Sequence, residues 1–335
     1  MSIIKAYAAF EQGADLQPFE YDLGALHTND VEIDVEYCGI CHSDLSMLDN
    51  EWGRSRYPLV AGHEIIGRVS AVGSSVITTQ VGDYVGLGWH SDFCFKCTSC
   101  DDGDHNLCGS AKETIVGRHG GFADKVRAHH QSVVVLPEAV NPASAGPLFC
   151  GGITVFNPLV QFDVKAGDHV AVIGIGGLGH MAIQFLKAWG CEVTAFTSND
   201  SKREQAMLLG ADHVVSSTDN SVLKKLYRQF ELILSTVNVS LNWNYYLETL
   251  KPKGRLHFVG MALEPLNIAA FRLISSQRSI SGSPVGSPST IKTMLDFVAK
   301  HDIEPQVEYF PFDEINDALK HVREGKARYR VVLKK

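Results

Sequence analysis

The sequence predicts an α/β protein with two parts, one rich in β-strands and one built on a doubly wound parallel sheet. Residues 1 to about 145 contain short β-branched runs, such as Val31–Val35 and Val133–Leu136, between glycines, prolines and aspartates. Beyond about residue 169, apolar strands alternate with helical patterns, which is typical of a parallel sheet. A chain of 335 residues is long enough for two hydrophobic cores.

The elements of the predicted parallel sheet follow one another in the middle of the chain. They are strand His169–Ile173, helix Leu178–Trp189, strand Glu192–Phe196, helix Lys202–Leu209 and strands Val214–Val215, Leu232–Ser235 and Leu256–Val259. The end of the chain returns to the style of the beginning, with helices near 290–300 and 313–323 and a final strand at Tyr329–Leu333.

Composition narrows the classes of function. The formal net charge is −8 and no run of lysine or arginine interrupts the acidic balance, which argues against a nucleic-acid surface. The N-terminus lacks the apolar core of a signal peptide, and no apolar stretch reaches the roughly 18 residues of a membrane span. We therefore expect a cytoplasmic protein without a membrane partner. Its eight cysteines are then expected to be reduced, and their clustering indicates metal binding.

Four cysteines in one segment form the strongest local motif. They have the spacing C-x2-C-x2-C-x7-C and are Cys94, Cys97, Cys100 and Cys108. Zinc prefers tetrahedral thiolate coordination, and a closed site of four sulfurs supports structure. Four unligated thiols are the alternative, but free cysteine is usually buried and this segment is rich in charged residues. An iron–sulfur cluster is possible chemically, yet nothing else in the sequence indicates electron transfer. The sequence predicts a structural zinc lobe at about residues 90–110.

A second set of metal-binding side chains is spread over three segments. Cys41 lies in CGICHSD, His63 precedes Glu64 in GHE, and Cys150 precedes two glycines. Two cysteines and one histidine leave a fourth zinc position for water or substrate, as in catalytic zinc sites. Taken alone, Cys150 is more often a small core residue than a ligand, and a lone His63 is similarly ambiguous. Together with the four-cysteine segment, they predict a second, open zinc site.

A glycine-rich turn predicts a dinucleotide site. The residues of this G-x-G-x-x-G motif are Gly174, Ile175, Gly176, Gly177, Leu178 and Gly179. The motif follows a predicted strand and opens a predicted helix, which is the setting in which such glycines place a pyrophosphate at the helix N-terminus. A glycine-rich turn without a ligand is the alternative reading.

The residues after the second strand of this sheet indicate which dinucleotide binds. NAD enzymes usually carry an acidic residue there to hold the ribose hydroxyls. This chain has Thr197, Ser198 and Asn199 instead, followed by Lys202 and Arg203. Hydroxyls and cations suit a 2′-phosphate, which a carboxylate would repel. The sequence therefore predicts NADP in preference to NAD, although the two cations could simply solvate the start of a helix.

These motifs together resemble the zinc-dependent medium-chain alcohol dehydrogenases, particularly the cinnamyl alcohol dehydrogenase branch, along the whole chain. The segments that carry the resemblance are CGICHSD (38–44), GHE (62–64), the four-cysteine motif (94–108), CGGITVF (150–156), GIGGLGH (174–180), TSNDSKRE (197–204) and GSPVGS (282–287). The family implies a GroES-like catalytic domain at 1–148, a Rossmann domain at 149–284 and a C-terminal segment, 285–335, that returns to the catalytic domain. It also implies a homodimer or homotetramer.

The resemblance implies roles for individual residues. Cys41, His63 and Cys150 would bind the catalytic zinc, with Glu64 as a transient ligand. Asp44 would orient the ligand histidine. Ser43 would pass a proton to or from the substrate oxygen, while zinc polarises that oxygen and the nicotinamide carries the hydride. The family implies further cofactor contacts from His42, Thr154, Ser283 and Val285.

Substrate size and proton transfer are where the sequence says least. Trp52 and Trp89 match tryptophans that narrow the pocket of yeast-type alcohol dehydrogenases, and Phe93 lies near them in sequence; ordinary core packing explains them equally well. The family's proton-relay histidine is Ser46 here. We expect small-molecule primary alcohols and unhindered aldehydes as substrates. The alternatives are an NAD-dependent zinc polyol or sugar dehydrogenase and a non-catalytic NADP-binding sensor.

Overall fold

The computed structural model describes residues 3–262 and 264–335, which form two compact units. The first unit comprises residues 1–153 and 285–335, and the second comprises residues 154–284. The sequence predicted the boundary between the two domains at residue 148. The first unit extends further because Phe149 packs closely against Gly86 and Gly88, and Cys150 lies beside Cys41 and His63.

The first stretch of chain is rich in strands, as the sequence predicted. Its elements are β1 Ile3–Ala8, β2 Gln17–Asp22, β3 Asp30–Ile40, α1 His42–Leu48, β4 Glu64–Val72, β5 Tyr84–Leu87, β6 His90–Asp92, α2 Thr98–Asp101, β7 Lys112–Glu113, β8 Lys125–His129, β9 Val133–Val135, α3 Pro142–Ala145 and α4 Gly151–Gln161. The boundary between the compact units falls within α4.

The middle stretch alternates strands and helices. Its elements are β10 His169–Ile173, α5 Gly179–Trp189, β11 Glu192–Thr197, α6 Arg203–Leu208, β12 His213–Ser216, α7 Asn220–Lys225, β13 Phe230–Ser235, α8 Trp243–Thr249, β14 Leu250–Phe258, α9 Ala270–Ile274 and β15 Ser279–Gly282. The last stretch holds α10 Pro288–His301, β16 Val307–Pro311, α11 Ile315–Arg323 and β17 Arg330–Lys334.

The main sheet of the first unit joins strands from both ends of the chain. Strands β16, β17, β3, β4, β5 and β9 lie side by side, and β8 pairs with β3. The final strand runs antiparallel to β3, with Val331 opposite Ile40. Ile33 and Val35 of β3 and Val331 and Leu333 of β17 are buried in one core. In each strand the two residues are two positions apart, so their side chains point to the same face. The two ends of the chain thus share one core.

The second unit is built on a sheet of six parallel strands in the order β12-β11-β10-β13-β14-β15. The order reverses between β10 and β13, and ligands of such sheets bind at the carboxyl ends of the strands near this reversal. The turn after β10 is the predicted glycine-rich motif. The sheet is buried against apolar side chains that include Phe196, Ile233 and Trp243.

The predicted strands and helices of the middle stretch are confirmed, but the structure contains elements that the sequence did not reveal. These elements are helices α7, α8 and α9 and strand β15, which are four to seven residues long. Elements this short show too few turns or alternations for periodicity to be read. Strand β14 also begins earlier than predicted, at Leu250.

Among the described residues, no single helix has the length and apolar composition needed to cross a membrane. One bent pair of helices, Pro142–Phe149 with Gly151–Gln161, meets that test by length and composition alone.

Candidate active site

Four buried metal-binding side chains meet in the first unit. Cys41, His63, Glu64 and Cys150 each place one donor atom within 4.8 Å of all the others. The Sγ atoms of Cys41 and Cys150 are 3.8 Å apart, and His63 Nε2 is 3.2 Å from Cys150 Sγ. Cys41 follows β3 and caps α1, His63 directly precedes β4, whose first residue is Glu64, and Cys150 immediately precedes α4. Three ends of regular elements therefore converge on one point.

Asp44 contacts three residues in the segments that form this cluster. Its Oδ2 accepts the backbone N–H of Cys41 at 2.9 Å, and its Oδ1 accepts the N–H of Gly62 at 2.8 Å. The same Oδ1 lies 2.8 Å from His63 Nδ1. A carboxylate can only accept, so Nδ1 carries the proton and Nε2 presents its lone pair toward the cysteines. Asp44 is fully buried and thereby fixes both the position and the tautomer of the histidine.

Arg330 is a member of this cluster that sequence reasoning missed. Its guanidinium forms a buried ion pair with Glu64, and both side chains are almost completely inaccessible to solvent. No local motif marks Arg330. It reaches Glu64 because β17 and β4 both pair with β3, which brings together residues from opposite ends of the chain. The second carboxylate oxygen, Glu64 Oε2, is buried without a hydrogen-bond partner.

Proton affinities in the cluster are strongly shifted. The hydrogen bond from Cys150 holds the pKa of Cys41 well below its usual value, and the same contact together with burial raises the pKa of Cys150. Burial raises the pKa of Glu64 to about 7, although the charge of Arg330 opposes that shift. Burial disfavours charged His63, but Asp44 and Cys41 outweigh it and raise its pKa. Such shared protons are the ones that a bound divalent cation displaces.

The donor set fits zinc. Zinc–sulfur bonds of about 2.3 Å in a tetrahedron imply about 3.8 Å between sulfurs. The observed separation of Cys41 Sγ and Cys150 Sγ is 3.8 Å, far beyond a disulfide bond. A buried imidazole nitrogen, two sulfurs and an unpartnered carboxylate oxygen complete a set of four.

The four-cysteine lobe forms a second cluster with the same spacing. All four sulfurs lie within 4.8 Å of one another, and Cys94 Sγ and Cys100 Sγ are 3.9 Å apart. The short helix α2 turns Cys100 back toward Cys97, its N-cap. The backbone N–H of Lys96, with a contact from Cys97, lowers the pKa of Cys94 to about 6. The lobe can hold a metal through thiolates, without a position open to substrate.

The three residues predicted to line the substrate pocket are Trp52, Trp89 and Phe93. Trp89 packs edge-on against the His63 ring, with centroids 5.0 Å apart, and Trp52 packs against Trp89 at 5.9 Å. These two indoles form an apolar wall beside the metal-binding cluster. Phe93 lines a small cavity together with Trp89, and it also packs in the small core of the four-cysteine lobe, near Cys100 and Cys108.

The first turn of α1 carries the remaining predicted polar residues. His42, the residue after Cys41, is exposed, and Ser43, the next residue, is partly exposed. Ser46 is buried and donates a hydrogen bond to Glu51 Oε2 at 2.6 Å. The structure thus places a serine–carboxylate pair where the family's relay histidine would be.

A cleft of about 440 Å³ lies over the carboxyl ends of β10, β11 and β13 in the second unit. The glycine-rich turn forms one wall, and the segment Thr197–Asn199 with Lys202 forms another. Gly174 has a φ of +92°, which only glycine adopts readily, and a Cβ on Gly179 would collide with the Gly174 carbonyl. A Cβ on Gly176 would meet open space, so a ligand can approach the backbone there. These are the three roles of the glycines in dinucleotide-binding turns.

The residues at the end of β11 are arranged as a polar turn. Thr197 Oγ1 and Asn199 exchange hydrogen bonds with one another, and Ser198 is exposed. The Lys202 ammonium reaches the cleft and donates to the Ile175 carbonyl at 2.7 Å. Arg203 points elsewhere, because it donates to the Val214 carbonyl.

The other predicted cofactor residues lie along α4 and after β15. Thr154 is buried on α4, and Ser283 follows the carboxyl end of β15. Ser283 Oγ is 2.9 Å from His257 Nε2. Val285 begins the return of the chain to the first unit.

Comparison with known proteins assigns the family. Residues 27–138 match the alcohol dehydrogenase GroES-like domain, and residues 177–300 match the zinc-binding dehydrogenase family. The chain is 60% identical to an aldehyde reductase, AdhA, of Synechocystis sp. over 99% of this chain and 98% of that protein. The chain belongs to the zinc-dependent medium-chain alcohol dehydrogenase family.

Solved structures of this dehydrogenase family agree with that assignment. A cinnamyl alcohol dehydrogenase from Sorghum bicolor superposes with a TM-score of 0.95 at 35% identity, covering 99% of this chain and 98% of that one. CAD from Helicobacter pylori complexed with NADP(H) gives a TM-score of 0.91 at 29% identity, with coverage of 99% and 98%. The predicted fold class, a GroES-like domain with a Rossmann parallel sheet, is confirmed. The dehydrogenase acts on alcohols or aldehydes and depends on zinc.

Proposed function

We propose that this dehydrogenase interconverts primary alcohols and aldehydes with NADP(H), using one zinc ion at Cys41, His63 and Cys150 and a second at the four-cysteine lobe. The observation that carries the proposal is the donor set itself, in which sulfur, imidazole and carboxylate converge in a buried cluster on a support from Asp44. A closed structural zinc site uses four permanent ligands, whereas two cysteines and one histidine leave a fourth position for water or substrate.

The side chains of the site have distinct tasks in this proposal. Zinc would polarise the substrate oxygen, and the nicotinamide would supply or accept the hydride. Asp44 holds His63 so that Nε2 stays available as a ligand. Ser43 provides the hydroxyl through which a proton reaches or leaves the substrate oxygen. Arg330 neutralises Glu64 while that carboxylate is not a ligand.

The cleft of the second unit supports NADP rather than NAD. Its lining contains Thr197, Ser198, Asn199 and Lys202 and no acidic side chain. The nearest acid in sequence, Asp200, is exposed and lies 3.8 Å from the Arg203 guanidinium. A 2′-phosphate would therefore meet hydroxyl and amide groups and one ammonium, while an unphosphorylated ribose would lack its usual carboxylate partner.

The test of the cofactor compares Lys202→Ala with Arg203→Ala. We expect kcat/KM of the natural protein to be higher with NADPH than with NADH. Lys202→Ala should lower kcat/KM for NADPH by about tenfold and leave NADH nearly unchanged, because a charge-assisted hydrogen bond contributes about 1.5–3 kcal/mol. Arg203→Ala is the matched control and should change neither, since Arg203 bonds the protein backbone. Equal use of both cofactors by the natural protein would refute the NADP proposal.

The indole wall supports a preference for unhindered substrates. Trp52 and Trp89 narrow the space beside His63 with large rigid rings. We infer that simple aliphatic or benzylic aldehydes turn over faster than secondary or polyhydroxylated compounds. A panel that includes a sugar alcohol decides between this reading and a polyol dehydrogenase, since faster turnover of the sugar alcohol would favour the latter.

Exposed apolar side chains support self-association. Phe271 and Ile274 of α9 are each 73% exposed, and Met261 is 58% exposed. Strand β15 ends the order of the parallel sheet and so presents unpaired backbone groups. A homodimer or homotetramer would cover these groups, and light scattering of the purified protein measures the subunit number.

A further inference from the structure

A buried histidine of the parallel sheet binds two serines at once. His257 lies on β14 and is inaccessible to solvent. Its Nδ1 is 2.9 Å from Ser281 Oγ, and its Nε2 is 2.9 Å from Ser283 Oγ. Ser281 lies directly opposite His257 in the register of β14 and β15. Ser283 is two residues further, so it projects from the same face just past the end of the strand.

The surroundings keep the imidazole neutral. The Phe162 ring packs edge-on against it with centroids 5.0 Å apart, and the Arg255 guanidinium lies 4.0 Å from the centre of that phenyl ring. Burial, assisted by the charge of Arg255, lowers the pKa of His257 to about 4. A neutral imidazole has one N–H donor and one acceptor. One serine therefore accepts a hydrogen bond from the ring while the other donates one to it.

The position of this bridge gives it significance beyond stability. It stands at the carboxyl end of the parallel sheet, where ligands of such sheets bind. At the start of the segment after β15, the N–H of Ser283 lies 3.4 Å from the Phe258 carbonyl oxygen, a long hydrogen bond, and Pro284 has no N–H to donate. The contact from His257 thus fixes the direction in which the chain leaves the sheet.

We propose that His257 is a positioning residue that holds the Ser283 segment in place for the nicotinamide end of the cofactor. The proposal rests on the proposed NADP(H) site, in which the family resemblance implies that the backbone from Ser283 to Val285 lies near the nicotinamide. His257 itself touches no cofactor in this scheme; it acts through Ser283. A hydrophobic residue would fill the same buried space without a desolvated polar ring, so packing alone does not account for the histidine.

Three substitutions separate the two bonds of the ring. The amide of Gln reaches about as far as Nε2, so His257→Gln can keep the bond to Ser283. The shorter amide of His257→Asn reaches only about as far as Nδ1 and keeps the bond to Ser281. His257→Phe retains the bulk and loses both bonds. The matched control is His213→Gln, which changes an exposed histidine on β12 of the same sheet.

The experiment measures dissociation constants for NADPH, by its fluorescence, and for 2′-phospho-ADP-ribose, which lacks the nicotinamide. We expect His257→Asn and His257→Phe to weaken NADPH binding roughly fivefold, the equivalent of one hydrogen bond, and to lower kcat. Binding of 2′-phospho-ADP-ribose should stay within about twofold of the natural protein, since this ligand lacks the nicotinamide that the Ser283 segment would hold. His257→Gln and His213→Gln should behave nearly as the natural protein does.

Other outcomes overturn the inference. If all His257 variants bind NADPH like the natural protein, the bridge does not position the cofactor. If the variants bind NADPH and 2′-phospho-ADP-ribose with equal loss of affinity, the role of His257 is a general structural one. The same follows if His257→Gln loses NADPH affinity while His257→Asn keeps it. Should His257→Phe not fold, Ser283→Ala removes the same bond from the other side and must show the same split. Failure of the natural protein to bind NADPH at all would instead refute the proposed cofactor.

Discussion

Asp44 shows how much of the site depends on one carboxylate. Its two oxygens receive the backbone of Cys41 and Gly62 and face His63 Nδ1, so three segments of chain converge on it. None of these contacts reaches solvent. A carboxylate in this place orients the ligands without needing to touch a substrate.

Replacing this carboxylate by an amide should weaken metal binding. Asp44→Asn exchanges one acceptor oxygen for an NH2 group, which would face a backbone N–H or the protonated His63 Nδ1. We expect zinc content to fall from the proposed two ions per chain toward one, and activity to fall by about 10- to 100-fold. Metal analysis and steady-state rates measure the two effects.

A surface carboxylate provides the control for that change. Asp83 accepts hydrogen bonds from Thr79 Oγ1 and the Gln80 N–H in an exposed turn. Asp83→Asn makes the same chemical exchange away from the donor cluster and should retain both zinc ions. Full zinc content in Asp44→Asn would contradict the role assigned to Asp44.

Among the elements, β3 is constrained by the buried carboxylate that packs against it. A Cβ at Gly39 would overlap the Glu64 carboxylate, which Arg330 holds from the other side. We expect Gly39→Ala to lower the free energy of unfolding by about 1–3 kcal/mol, a usual result of overpacking, and to disturb the Glu64–Arg330 pair. Urea unfolding of the zinc-loaded protein measures the change.

Gly109→Ala is the comparison for this substitution. A Cβ at Gly109 would meet nothing within 4 Å, although the residue lies next to Cys108 of the lobe. It should therefore unfold like the natural protein. Equal stability of Gly39→Ala and Gly109→Ala would mean that β3 relaxes to admit the methyl group.

The sequence predicted the elements whose signal is local. The glycine turn, the strand before it and the helix after it form one continuous motif, and the four cysteines of the lobe lie within one short segment. Arg330 could not be found this way, because its partner Glu64 lies 266 residues earlier and only the pairing of β17 with β3 brings them together. The bridge from His257 to Ser283 likewise depends on β15, an element too short to show a period.

On the scale of the whole molecule, two histidines, the half-buried His90 and the buried His257, make stability depend on pH. Burial lowers the pKa of His90 in the first unit, and of His257 in the second, to about 4. The unfolded chain takes up these protons near the ordinary histidine pKa of about 6.5. The stability that these two histidines contribute is therefore complete above that value and is lost as the pH falls from about 6.5 through 4.

The contribution of one histidine can be measured by difference. His90→Phe keeps an aromatic ring beside Phe93 but cannot bind a proton. Between pH 7 and pH 5 the natural protein should lose about 2 kcal/mol more unfolding free energy than His90→Phe. Replacing the exposed His27 by Gln should leave the loss of unfolding free energy between these pH values as it is in the natural protein. Parallel losses in the natural protein and His90→Phe would exclude this source of acid sensitivity.

The pairing of the last strand with β3 sets the order in which the molecule can be completed during synthesis. The ribosome releases Cys41, His63, Glu64 and Cys150 long before β17, and the whole second unit emerges between them. Until then the growing chain exposes one edge of β3, and Glu64 has no cation to share its burial. In the nascent dehydrogenase, the metal-binding cysteines are therefore synthesised before β17, the strand that completes this part of the sheet. A chain cut short by even this one strand would leave an open sheet edge and an uncompensated carboxylate, the kind of defect that quality-control proteases and chaperones recognise.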